Sequence, residues 1–354
     1  MHIEDEQLHP ANNKTFWGES YYFNFMQTDG NWGGALRIGF SPNDGGGKLG
    51  IKDGFLIFYF PDGKHGFIRT YEMFPPETLE NQDLSVGKLK LDCVEPYQQW
   101  RLRYNGPVNV FDNPEDAAVF RKTMLADLPR RHVTMDLTFD CFHEPFDFHR
   151  SLKKRPISVA RFLQKLSPVY LLNHLPILPI KIKAVPNMVN AQHYEQGGFV
   201  TGTIKIDEEV FPFDGTGQRD HSWGVRDMRV LNNWQWFSCQ FGDELAFNAM
   251  RVEVAVVSSY GGHAYYKGKC HAISDWHIDA EFDPTNKWAT AFTLTIELDN
   301  GETLTVDAEC QEGFPTTLTT RGLTAQVWES IATFTWNGKK SAGISEFMTQ
   351  VYPE

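Results

Sequence analysis

The residues best equipped for chemistry stand together at 214–227, Asp-Gly-Thr-Gly-Gln-Arg-Asp-His-Ser-Trp-Gly-Val-Arg-Asp. Glycines 215, 217 and 224 bracket the cluster, so the spacing predicts a hairpin turn running into a short strand and out again. Side chains alternate on an extended strand, which puts Arg219, His221 and Trp223 on one face and Asp220 and Ser222 on the other. Histidine exchanges protons near neutrality, and an indole face stabilises a positive charge by about 2 kcal/mol where water is excluded. Facing a cavity, such a pair suits chemistry through a carbocation. The competing reading is that these Asp, Arg and His residues lock the end of a barrel through buried ion pairs.

Other chemistries fit less well. Asp220, His221 and Ser222 are contiguous, so neighbouring strand positions point apart and no nucleophile–base bond follows; there is also no Gly-x-Ser-x-Gly elbow. His143 and His149 with Asp147, and Cys270-His271 with Asp275 and His277, lack a metal-ligand spacing, so no metal is expected. Gly215-x-Gly217 lacks the third glycine and the strand–helix setting of a dinucleotide site, and phosphate loops are absent, so no cofactor is expected.

The elements that must position the cluster are strands. Period-two segments such as Tyr21–Met26, Ala35–Phe40, Phe55–Phe60, Gln98–Arg103 and Thr134–Cys141 precede residue 150, and others such as Phe199–Ile206, Trp234–Phe241, Ala291–Leu298 and Gln326–Thr335 follow residue 191. Asp29-Gly30, Asp53-Gly54, Asp62-Gly63, Asp214-Gly215, Asn300-Gly301 and Asn337-Gly338 read as hairpin turns. Residues 150–190 differ, with eight basic residues, no acid and prolines at 156, 168, 176, 179 and 186; Val159, Phe162, Leu163 and Leu166 follow helical spacing. The expected fold is all-β: two consecutive antiparallel β-barrel or sandwich domains, residues 1–150 and 191–354, joined by a basic, Pro-punctuated linker at 151–190 with one short helix. That linker is also a candidate for peripheral membrane contact.

Composition sets outer limits. The 354 residues include 27 Phe, 12 Tyr and 10 Trp, enough apolar material for a large core. A net charge of −12 argues against a nucleic-acid partner, because phosphate binding needs clustered exposed cations. An acidic start without a basic, apolar leader and five cysteines without a Cys-x-x-Cys pair suggest a reduced, cytoplasmic setting with buried thiols.

Asp220-His221-Ser222-Trp223-Gly224 resembles the Asp-His-x-Trp-Gly motif of the AttH/CrtC-like proteins, which include carotenoid 1,2-hydratases. The likeness extends to Glu19-Ser-Tyr-Tyr-Phe, Glu95-Pro-Tyr-Gln-Gln-Trp-Arg-Leu and Glu195-Gln-Gly-Gly-Phe-Val-Thr-Gly, and covers most of the chain. It implies two lipocalin-like barrels with an apolar cavity, no cofactor, and acid–base addition of water to an isoprenoid double bond. It places His221 and Trp223 in catalytic positions with Asp220 beside them as orienter; Ser222 stands where the hydratases often carry an amide. Alkene protonation also needs a donor, either a carboxylic acid kept neutral by burial or an imidazolium, and Glu195, next to His193 and Tyr194, is the candidate acid. Trp234 and Trp236 would line the cavity, and Tyr194 and Arg219 would contact substrate. The expected activity is a hydratase, isomerase or cyclase acting on a hydrophobic isoprenoid or polycyclic lipid; the alternative is a lipocalin-like carrier of such a ligand.

Overall fold

A computed structural model describes residues 1–10, 14–28, 32–43, 49–117, 128–156, 191–226, 231–254, 257–285, 287–320 and 323–351. The alternating segments become strands β1 (Trp17–Gln27), β2 (Gly33–Ser41), β3 (Gly50–Tyr59), β4 (His65–Phe74), β5 (Ser85–Val86), β6 (Leu89–Glu95), β7 (Gln99–Phe111), β8 (Arg130–Cys141), β9 (Phe146–Asp147), β10 (Lys153–Pro156), β11 (Gln192–Ile206) and β12 (Glu209–Val225). They continue as β13 (Leu231–Phe241), β14 (Leu245–Val254), β15 (Val257–Tyr266), β16 (Lys269–Phe282), β17 (Ala289–Leu298), β18 (Thr303–Cys310), β19 (Phe314–Thr320), β20 (Leu323–Trp336) and β21 (Lys339–Val351). No helix among the described residues is long and apolar enough to cross a membrane.

The strands form two antiparallel sheets, each closed on itself. The first runs β4-β3-β2-β1-β12-β11-β8-β7, and β7 returns to β4 through His65 opposite Phe111, giving an eight-stranded barrel. The second runs β15-β14-β13-β21-β20-β18-β17-β16 and closes where β15 pairs with β16. Closure removes the open edges that a sheet of this size would otherwise expose. Tyr21, Phe23 and Phe25 of β1 point into the first core with Trp100, Leu137 and Phe139, while Phe237, Phe247, Leu294 and Phe334 fill the second. A third apolar cluster joins Tyr22, Phe55 and Tyr59 on the outside of the first barrel to Trp236, Ile331 and Ile344 on the outside of the second.

The barrels do not divide the chain where the sequence suggests. β11 and β12, residues 192–225, belong to the first barrel, with β12 paired to β1 and β11 to β8, while β10 joins the second sheet beside β15. Without β11 and β12 the first sheet would stop at two open edges, β1 and β8. The Asp220–Gly224 motif therefore lies in the first barrel and not in a domain beginning at 191. The expected helix around 159–166, with the rest of 157–190, lies outside the described residues.

Asp62-Gly63, Asn300-Gly301 and Asn337-Gly338 are turns whose glycines have positive φ, as expected. Asp53-Gly54 and Asp214-Gly215 instead lie inside β3 and β12, and Asp29-Gly30 falls outside the described residues. Glycine in β12 serves close approach rather than turning: a Cβ at Gly215 would sit 2.0 Å from the Met26 carbonyl oxygen, and one at Gly217 would sit 2.1 Å from that of Asn24. Gly217→Ala must push β1 away, and is expected to lower stability in urea melts by roughly 1–3 kcal/mol, the usual range for overpacking. An unchanged midpoint would contradict this account.

Candidate active site

Strand alternation divides the motif as expected, but the two faces meet different surroundings. Arg219, His221 and Trp223 point into the end of the first barrel, where residues 2–9 pack over them. The Arg219 guanidinium is 1% exposed; it pairs with both oxygens of Glu6 and lies 5.1 Å from the Trp100 ring centre. His221 Nε2 is 2.7 Å from Glu19 Oε1, which also meets His9 Nδ1 at 2.9 Å, while His221 Nδ1 lies 3.2 Å from the Tyr194 hydroxyl. Tyr21 stacks on His221 and Trp223 stacks on His9, with ring centres 3.9 and 4.0 Å apart. Burial lowers the His221 pKa against the opposing pull of Glu19, whereas Glu19, despite burial, is lowered by its two histidines.

His9, Glu19 and His221 are also the set of metal-type donors that cluster among the described residues. Their N–O separations of 2.7 and 2.9 Å are those of direct hydrogen bonds, shorter than the ~3.3 Å kept by two ligands on one tetrahedral zinc. Of the residues singled out in the sequence, His143 and Cys270 meet, with Nδ1 3.3 Å from Sγ. His143 Nε2 accepts the Gly197 N–H at 2.8 Å, and His149 pairs with Asp147. All five cysteines are free, and burial raises each thiol pKa, which disfavours a thiolate nucleophile.

The other face of the motif meets open space. Asp220 and Ser222 line a cavity of about 590 Å³ between the barrels, a volume that suits a mid-sized organic molecule. Tyr22 of β1 is opposite Asp220 in register and shares its face, and its hydroxyl is 3.5 Å from Glu346 Oε1 on the far wall. That wall is built from β13, β20 and β21, where Trp236 is opposite Glu346 and Glu346 is opposite Glu329. Trp234, Met250 and Val327 surround them with apolar surface. The edge of the Trp236 indole packs against Tyr22, ring centres 5.8 Å apart.

Two carboxyls side by side in an apolar wall cannot both ionise cheaply. Burial raises Glu329 to about 8, and burial together with the Glu329, Asp220 and Glu195 charges raises Glu346 well above its ordinary value. Asp220 is raised to about 6, mainly by burial and partly offset by His193. His193 itself is raised, because Glu195 at 3.0 Å outweighs the desolvation of the ring. Glu329 Oε2, Thr316 Oγ1 and Trp234 Nε1 are buried without a hydrogen-bond partner. The cavity thus joins a carboxyl pair whose pKa values burial raises, a more acidic carboxyl on the opposite wall and two tryptophans.

Of the residues expected from sequence, Asp220, Trp234 and Trp236 line this cavity. Glu195 stands just behind it, its carboxylate receiving Trp236 Nε1–H at 3.2 Å and Gln218 Nε2–H at 2.9 Å. His221, Trp223, Tyr194 and Arg219 face the other way, so the geometry does not bring His221 and Glu195 into one site. On this face Arg219 and His221 are held in buried pairs with Glu6 and Glu19. Sequence reasoning missed Glu329 and Glu346, although a signal was present: each is the one charged residue in an every-second-residue stripe, Val327-x-Glu329-x-Ile331 and Ile344-x-Glu346-x-Met348. A carboxyl embedded in an apolar stripe is a buried carboxyl.

Residues 2–351 match the family described as a domain of unknown function, DUF7064. No curated protein matches the chain in sequence. Among solved structures, a Nitrosomonas europaea protein assigned to AttH is similar with a TM-score of 0.55 at 13% identity, covering 96% of this chain and 94% of its own. Kievitone hydratase from Nectria haematococca gives a TM-score of 0.54 at 12% identity, covering 99% of this chain and 92% of its own. The two-barrel, lipocalin-like architecture is thus shared with AttH-like proteins along nearly its whole length.

Proposed function

The chain belongs to the DUF7064 family, and we propose that it performs acid–base chemistry without a cofactor on a hydrophobic isoprenoid or polycyclic substrate held between its barrels. The reaction would be a hydration, an isomerisation or a cyclisation. The observation that carries this reading is the buried Glu329–Glu346 pair facing Asp220 across an apolar cavity. The existence of a hydratase with this fold supports it.

In this scheme Glu346, its proton retained by burial, delivers that proton to one carbon of a double bond. The π electrons form the new C–H bond, and the neighbouring carbon becomes cationic beside Trp234, Trp236 and Tyr22, whose ring faces stabilise it. Asp220 completes the reaction from the opposite wall. In a hydration it takes a proton from water as the water oxygen bonds to the cation; in an isomerisation or cyclisation it takes the proton from an adjacent carbon. Proton exchange with solvent then restores both carboxyls. His193 and Glu195 lie behind Asp220 and set the local charge.

Mass spectrometry of organic extracts from wild-type protein and Glu346→Gln, both purified from the native host, tests this directly. A precursor retained by the variant and its hydrated or rearranged product in the wild type support the enzyme. The same unaltered lipid in both would identify a carrier instead. With substrate in hand, kcat/KM is expected to rise through about pH 6 as Asp220 ionises and to fall through about pH 8 as the Glu329–Glu346 pair loses a proton. Asp220→Asn should remove the acidic limb along with most of the activity.

A further inference from the structure

The cavity wall contributed by the first barrel is charged unevenly. By register, Arg69 on β4 is opposite Phe55 on β3, Phe55 is opposite Arg37 on β2, Arg37 is opposite Tyr22 on β1, and Tyr22 is opposite Asp220 on β12. Directly opposed residues share a face, so this is a single row that crosses the wall from a basic end to an acidic one. Arg226, just beyond β12, joins the basic end, where Nη1–H groups donate to Ser222 Oγ at 2.6 Å and Ser20 Oγ at 3.3 Å. Ser222, the variable position of the motif, therefore holds a guanidinium at the cavity.

Among the described residues the three guanidiniums outnumber the carboxylates beside them, Asp53 and Asp220. Asp53 serves both Arg37, at 3.0 Å, and Arg69, at 3.6 Å, and Asp220, which lines the same cavity, attracts Arg226 and Arg37. Hydroxyls satisfy the hydrogen-bonding geometry of Arg226, and Asp220, Glu19 and Asp53 offset part of its charge. Burial and the neighbouring Arg37 charge lower the Arg226 pKa to about 10, against the opposing pull of the same carboxylates. Gly39 contributes to the arrangement, since a Cβ there would lie 2.3 Å from an Arg37 guanidinium nitrogen, which occupies the space over the glycine. Arg37 and Arg69 are partly exposed, which leaves their guanidiniums accessible to a ligand in the cavity, and guanidinium forks match carboxylate and phosphate oxygens.

We infer that Arg37, Arg69 and Arg226 bind the anionic head group, a carboxylate or a phosphate ester, of an otherwise apolar substrate whose body extends toward Glu346. This rests on the cavity between the barrels being the substrate site. It makes the substrate an acidic amphiphile, with its charge and its reacting bond separated by on the order of 10 Å, about two strand spacings.

Isothermal titration calorimetry at pH 7.5 with farnesol, farnesoic acid and farnesyl monophosphate tests the inference on one shared chain. For the wild type, at least one of the two anions is expected to bind about tenfold or more tightly than the alcohol, and the tighter of the two identifies the head group as carboxylate or phosphate. Arg37→Met and Arg226→Met should each remove most of that preference while leaving farnesol binding close to wild type. Gly39→Ala keeps every charge, displaces a flexible side chain and should reduce the preference independently. Equal affinity for all three ligands would overturn the anion assignment while leaving the apolar cavity standing, and binding of none would overturn both. A preference undiminished in all three variants would place the anion elsewhere and also overturn the assignment.

Discussion

Glu346→Gln is expected to lose roughly 10²- to 10⁴-fold in turnover, the range for a removed general acid, while becoming more stable than wild type at pH 8. The two effects share one cause. Burial in the cavity wall and the adjacent Glu329 raise the carboxyl well above its ordinary value of 4.5. The folded protein therefore holds this proton more tightly than the unfolded chain does. Below pH 4.5 both states are protonated and the group leaves the folding equilibrium unchanged. As pH rises above 4.5 the unfolded chain gains by ionising while the folded state cannot, so stability declines through the neutral range. Glutamine has similar volume, carries no titrating proton and presents an amide oxygen to Tyr22. Thermal melts of wild type and variant at pH 5 and pH 8 should converge at the lower pH and separate at the higher, with the variant melting later. Full turnover in Glu346→Gln would remove the acid from the proposed mechanism, and a lower melting temperature at pH 8 would show that the carboxyl is there for structure.

The same residue illustrates what the sequence could convey. Period-two patterning was enough for strands, for an all-β fold and for the alternation within Asp220–Trp223. It could not say which face of that strand meets a ligand, because this depends on where the second barrel docks. Docking is governed by Tyr22, Phe55 and Tyr59 packing on Trp236, Ile331 and Ile344, partners up to several hundred residues apart in the chain. The border near 191 failed for a related reason. The basic segment at 150–190 marks a change in composition, but barrel closure requires β11 and β12 to return to β1, and hydrogen bonding across the sheet decides membership. Asp214-Gly215 carried a genuine glycine signal whose cause, the close approach of the β1 carbonyls, is invisible to local rules.

The acidic start of the chain is the other feature whose role emerges only in three dimensions, and Glu6→Ala should expose it with a loss of about 3–5 kcal/mol. Glu6 and Arg219 are separated by 213 positions and form a bidentate pair at the end of the first barrel, with side chains 2% and 1% exposed. The Glu6 carboxylate also receives the Tyr97 N–H at 3.1 Å, and Tyr21 donates to the Glu6 carbonyl. Removing Glu6 leaves a guanidinium between Trp100 and Tyr194 with its hydrogen bonds to Gln196 and the Tyr194 hydroxyl but no counter-ion. The Coulombic gain of a buried pair largely offsets its desolvation, so the penalty comes mainly from the stranded charge. Replacing both partners, Glu6→Met with Arg219→Met, should therefore cost less than Glu6→Ala alone. Urea denaturation of the two variants provides the comparison. Because this pair lies on the face of β12 opposite Asp220, the fraction of Glu6→Ala that stays folded should keep a near-wild-type kcat. Loss of kcat in fully folded Glu6→Ala would instead return the Arg219, His221 and Trp223 face to the chemistry, and a destabilisation below 1 kcal/mol would mean that water reaches Arg219 at the barrel end.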